Sequence, residues 1–224
     1  MTTIPTTAPP RSTVELRRLG SRALVAAGSA WAAYLALRPY GDETTLEGVE
    51  GIASPAWVAS HLLGAAAFVL LALALVIRAV TRPGPDGWTA RRAAAAMVVG
   101  AVFVLPYYGA ETFGLHAIAA EAVDRGDATL LDVVDDVRYG TAAVVTFAIG
   151  LAATIASGVL LALDGRRSPT VARAAQVALG AAVATAPLQY GLPPAGRVAH
   201  GGLLLVAAVA TSVTGGRGGI SALG

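Results

Sequence analysis

Six apolar stretches divide this chain, and the charges between them alternate in sign. They fall at 21–37, 57–80, 93–110, 141–163, 171–190 and 198–214. Each comes near the ~20 residues that an α-helix needs to cross the hydrocarbon core of a bilayer. No water is present there to bond a free N–H or C=O, so a helix with internal backbone bonds is the structure such a stretch can adopt. The expected fold is all-α: a polytopic membrane protein with a six-transmembrane-helix bundle, its partner being the lipid bilayer. Only 13% of the residues are charged, against roughly 25% in a soluble domain. The 224 residues suit one bundle over 21–214, with a polar tail and interfacial segment over 1–20 and a short tail over 215–224. Ser12-Thr13-Val14-Glu15 fits a capping box that starts a short interfacial helix.

The distribution of arginine sets the orientation. All 16 basic residues are Arg, and 12 of them lie in the N-terminal segment, the second and fourth loops and the tail. Arg38, Arg125, Arg138 and Arg197 are the four on the other side, together with 11 of the 14 acidic residues. By the positive-inside rule both termini face the cytoplasm of a bacterial-type plasma membrane. Arg22 and the apolar run after it have the form of a signal-peptide core. Leu37-Arg38-Pro39-Tyr40 offers no small-x-small cleavage site, so the segment is read as a retained first helix.

Several function classes are excluded early. A net charge of +2 spread over short loops makes no nucleic-acid patch. The absence of cysteine removes disulfides, thiolate metal sites and covalent c-type haem attachment. No phosphate-binding glycine loop, H-E-x-x-H or nucleophile elbow is present.

The helix ends repeat. Pro39-Tyr40-Gly41, Pro106-Tyr107-Tyr108-Gly109 and Pro187-Leu188-Gln189-Tyr190-Gly191 close the odd-numbered spans, and Pro-Ala precedes His61 and His200 by six residues each. The pattern is that of three helical hairpins of common ancestry, with the fourth span departing from it. Pro stops or kinks a helix, Tyr sits at the interface and Gly allows the turn, so the motif is structural first. In the third outer loop, Leu130, Leu131, Val133, Val134 and Val137 alternate with acids as in an amphipathic helix lying on the surface. Its expected role is a lid over helix ends.

The three histidines, His61, His116 and His200, all lie near the outer ends of spans, and Glu111 shares their depth. Ionisable groups at membrane depth are costly and tend to mark function. Two site chemistries follow. Neutral imidazoles with a carboxylate suit a Zn, Cu or Fe ion, with His61, His116, His200 and Glu111 as ligands. Alternatively His61 and His200 are the axial pair of a haem b, with room left by Gly64, Ala65, Gly201 and Gly202. Glu111 would then act as a catalytic acid–base group, or with His116 serve a quinone-like partner. Two further readings stand beside these: a proton-coupled transporter using the same residues, and a cofactor-free scaffold whose histidines merely reach toward headgroups. Reporter fusions at both ends should show cytoplasmic signals for enzyme and fluorescent reporters alike; a periplasmic signal at either end would overturn the assigned topology.

Overall fold

A helix that bonds its own backbone and presents apolar side chains needs no water, and the chain is built almost wholly from such helices. The computed structural model describes residues 11–217 apart from Pro83, Arg167 and Pro169. The tails expected before residue 11 and after residue 217 lie outside the described residues. In order, the helices are α1 (Arg11–Leu37), α2 (Leu46–Val49), α3 (Pro55–Val80), α4 (Trp88–Gly109), α5 (His116–Arg125), α6 (Leu130–Tyr139), α7 (Thr141–Gly165), α8 (Thr170–Ala184) and α9 (Pro194–Arg217). A π-helical turn, Ala110–Leu115, joins α4 to α5, and a 3₁₀ segment, Ala186–Gly191, follows α8. No strand occurs among the described residues.

Four segments are long and apolar enough to cross a membrane: Pro55–Val80, Trp88–Arg125, Thr141–Gly165 and Pro194–Gly215. Three sequence expectations are corrected. α1 is one helix from Arg11 onward, with no separate interfacial helix at the capping-box residues. The third apolar stretch does not end near Ala110. Pro106 lacks an N–H to donate, yet the chain widens into the π turn and continues as a 38-residue rod to Arg125. The fifth stretch, expected to reach Tyr190, leaves the α-helix at Ala184 and tightens into the 3₁₀ segment that carries Pro187.

The six longer helices close into a ring in chain order. α1 packs on α3, α3 on α4, α4 on α7, α7 on α8, α8 on α9, and α9 returns to α1. Its centre is filled by buried Trp31, Phe68, Leu71, Val183 and Leu204. In lipid, burying apolar surface gives little net drive between helices, so close van der Waals contact has to supply it. Small residues provide that contact. Gly158 and Gly180 face each other's backbones across the α7–α8 seam, where a Cβ on either would overlap the main chain of the other helix. Ser157 adds an interhelical bond, its hydroxyl donating to the Ala93 carbonyl at 2.8 Å.

At one end of the ring a second, smaller core forms from Val49, Ile52, Trp57, Leu115, Ala119 and Val134. It is a cap made by α2, α5, α6 and the start of α3. Ser54 accepts from the Trp57 N–H to start α3, with Pro55 at its first position. Gly126, at φ +62°, ends α5 in the left-handed conformation. This end, rich in carboxylates, is called the acidic end below, and the opposite one the arginine end.

Gly180→Val should force α7 and α8 apart and cost about 1–3 kcal/mol, read as a lowered unfolding midpoint in mild detergent. Gly202→Ala, where an added Cβ meets nothing within 4 Å, should leave the midpoint within experimental error; equal effects of the two would refute the close-packing argument.

Candidate functional site

The second turn of α3 carries His61 into the acidic end of the ring, where it is almost completely buried. Its Nδ1–H donates to the Trp57 carbonyl at 2.8 Å. A carbonyl can only accept, so the proton belongs on Nδ1, and Nε2 is the unprotonated nitrogen of the neutral ring. Nε2 points at Glu111 Oε2, 3.8 Å away. That gap is too long for a direct hydrogen bond, and both atoms are acceptors. Oε2 accepts from Arg138, whereas Nε2 gains a partner only when a proton or a donor group lies beside it.

Glu111 sits in the π turn, 6% exposed. Read from the sequence it is an uncompensated acid, but the fold supplies the partner. Arg138 of α6 donates through Nε to Oε1 at 2.9 Å and through Nη2 to Oε2 at 3.2 Å, a two-toothed clamp. Its Nη1 donates to Glu43, which also accepts from Arg38 Nη2 at 3.3 Å. Burial opposes the charge on Arg138, but Glu111 and Glu43 outweigh it and hold its pKa above the ordinary arginine value. Trp57 ties the pieces together. Its indole N–H donates to the backbone carbonyl of Glu111 at 2.7 Å, and Arg38 lies over its ring at 5.0 Å.

The chain Glu43–Arg138–Glu111–His61 forms one wall of a cavity of about 920 Å³. The rest is tyrosine, arginine and the first half of α7: Tyr34, Tyr40, Tyr107, Tyr108, Tyr190 and Arg197 face Phe147, Ala148 and Leu151. Tyr107 stacks on Phe147 with centroids 4.1 Å apart. Tyr108 and Tyr190 share a hydrogen bond at 3.3 Å. Burial lifts the Tyr40 phenol above its ordinary pKa, against the pull of Arg38.

Of the four residues singled out by sequence, the fold brings together His61 and Glu111. His116 turns away into the cap, its Nδ1–H donating to the Ile52 carbonyl at 2.9 Å. His200 is spent on the α8–α9 seam, where Nε2–H donates to the Ala182 carbonyl at 3.1 Å. Neither lines the cavity that holds His61. Among the described residues no three His, Asp or Glu side chains converge as a metal ion would need, so the expected ligand set is not assembled. Much of the room expected beside the histidines is also taken, although an added Cβ at Gly202 meets nothing within 4 Å. Tyr34 and Tyr108 fill the space at Gly64, and α1 backbone at Ala32 fills that at Gly201.

Arg138 is the functional residue that sequence reasoning missed. It was counted as one charge of an outer loop, although it follows buried Val134 by four positions and so shares its face of α6. No family model matches the chain, and no curated protein or solved structure matches it.

Arg138→Gln would leave Glu111 and Glu43 facing each other without their shared cation, and should cost about 3–5 kcal/mol. Adding Glu111→Gln should recover a measurable part of that loss in thermal unfolding; additive losses would show that the pair is not coupled.

Proposed function

We propose that this is an integral membrane protein of six spans whose outer-side cavity binds a small amphiphilic molecule through a hydroxyl or amine, and exchanges a proton with it at His61. The observation that carries the reading is the 3.8 Å gap between two buried acceptors, His61 Nε2 and Glu111 Oε2, on the cavity wall. A ligand O–H or N–H placed there gives Nε2 the donor it lacks, beside the carboxylate. His61 then acts as proton acceptor, its tautomer fixed by the Trp57 carbonyl. Glu111, locked by Arg138, stabilises the imidazolium that forms. The cavity volume falls within the range of small-molecule sites. Its aromatic lining suits an apolar or ring-bearing body, and π-helical turns recur at functional sites.

The six-span reading rests on ring closure. α1 and α8 occupy places between the four long apolar segments, and without them the ring is open. α8 has 15 residues, about 22 Å at 1.5 Å per residue. The 3₁₀ segment after it adds six residues, enough to approach the ~30 Å core. Arginine placement supports both termini inside. The three Pro–Tyr–Gly ends supply Tyr40, Tyr107, Tyr108 and Tyr190 to the one cavity, which supports a shared origin for the three hairpins.

Haem and metal chemistry fit the donors less well, because His116 and His200 lie outside the cavity that holds His61. A transport path is disfavoured by the apolar plug of Trp31, Phe68, Leu71 and Val183 in the ring centre.

The test is native mass spectrometry of the full chain purified from its membrane in mild detergent, with a visible spectrum of the same sample. Wild type should carry a small-molecule adduct that is lost in Ala148→Trp, which fills the cavity, and reduced in His61→Phe. A Soret band, or an adduct indifferent to both substitutions, would refute the reading.

A further inference from the structure

The arginine end carries a second buried charge network with the signs reversed. Asp164, 3% exposed at the end of α7, receives three donors on one oxygen, Oδ2: Arg78 Nη2 at 2.7 Å, Arg82 Nη1 at 3.0 Å and Gln176 Nε2 at 2.9 Å. One carboxylate thus faces two guanidinium groups. Arg17 of α1 adds a third, and its recorded hydrogen bond goes to an uncharged group, the Thr81 carbonyl, at 3.2 Å. These three arginines line a cavity of about 160 Å³, with Ser21, Thr211 and Ser212 on its other side. Two donors there lack partners although buried: Arg78 Nε and the hydroxyl of Thr211, a residue 9% exposed. Unmade bonds to buried donors are costly, and Arg17 leaves positive charge in excess over the one carboxylate. One anion with several acceptor oxygens would meet both needs.

We propose that this cavity is a phosphate-binding site, taking either the phosphoryl headgroup of an anionic lipid or a free phosphate anion. Arg17, Arg78 and Arg82 supply the charge. Arg78 Nε and the Thr211 hydroxyl supply directed donors, and Asp164 positions two of the guanidinium groups by holding their other nitrogens. A carboxylate-sized ligand would leave donors unmet, whereas a tetrahedral phosphoryl group offers oxygens in three directions. The site is independent of the His61 cavity at the opposite end. Its position at the arginine-rich ends of α1 and α3 is where lipid headgroups lie if the helices span a bilayer.

The experiment is thermal unfolding of the full chain in an uncharged detergent, titrated separately with dioctanoyl phosphatidic acid, inorganic phosphate and dioctanoyl phosphatidylcholine. Saturable stabilisation by phosphatidic acid alone assigns the site to a lipid headgroup, and stabilisation by inorganic phosphate as well assigns it to the free anion. In either case Arg17→Gln and Thr211→Val should weaken the apparent affinity by about tenfold, the scale of a lost charge-assisted contact. Arg17 is exposed and valine is close in shape to threonine, so both variants are expected to fold. Arg78→Gln is avoided as the primary variant because it would disturb buried Asp164. No saturable shift with either phosphate ligand, an equal shift with phosphatidylcholine, or affinities unchanged in both variants would overturn the proposal.

Discussion

The clamp of Arg138 between Glu111 and Glu43 is what the acidic end depends on. Glu111 is almost fully buried and Glu43 partly so, and removing a charge from water costs several kcal/mol even after relaxation. The guanidinium makes both tolerable, and in doing so it fixes α6 over the ring, holds the loop of Glu43 against it and keeps Glu111 turned toward His61. The cap and the cavity wall are therefore one electrostatic object. Its hydrophobic part includes Trp57, which bonds the Glu111 carbonyl and so ties the small core to the ion pairs.

The two ends of the bundle use the same device with opposite polarity. At one end a single arginine is shared by two carboxylates, and at the other a single aspartate is shared by two arginines. Between them the helices approach through glycine and alanine, with hydroxyls such as Ser157 bonding across the seams. The charged groups thus sit at the two ends, where the elements they join would otherwise be free to splay, and the apolar middle needs none.

Much of this was legible in the sequence, and the gaps have physical causes. The positions of the long helices follow from apolar runs, which lipid makes nearly unambiguous. The depth of His61 and Glu111 followed from the same runs. What the two would face did not, since Arg138 arrives from 27 residues beyond Glu111, through a cap whose path depends on where α5 stops. The space expected beside the histidines is a different case. Gly64 and Gly201 are small, but smallness in a sequence does not say who takes the space; Tyr34, Tyr108 and the α1 backbone do. The apolar run of α7 ends just before Asp164, so nothing in the run marks that residue as buried, and its partners come from α3 and α8.

The π turn at Ala110–Leu115 has a geometric consequence of its own. Successive side chains on an α-helix are 100° apart, so accommodating one extra residue within a continuous helix re-phases everything after it by close to a third of a turn. Up to the turn the rod buries Met97, Gly100, Ala101, Val104 and Tyr108 in the ring. Past the turn, Leu115, Ala119 and Ala122 point into the cap instead. One continuous helix thereby serves two hydrophobic cores that lie in different directions. The aim of the cap relative to the cavity is thus set by the residue count between Pro106 and His116, so a lineage could re-aim it by gaining or losing a single codon there, where substitutions alone would change only the lining.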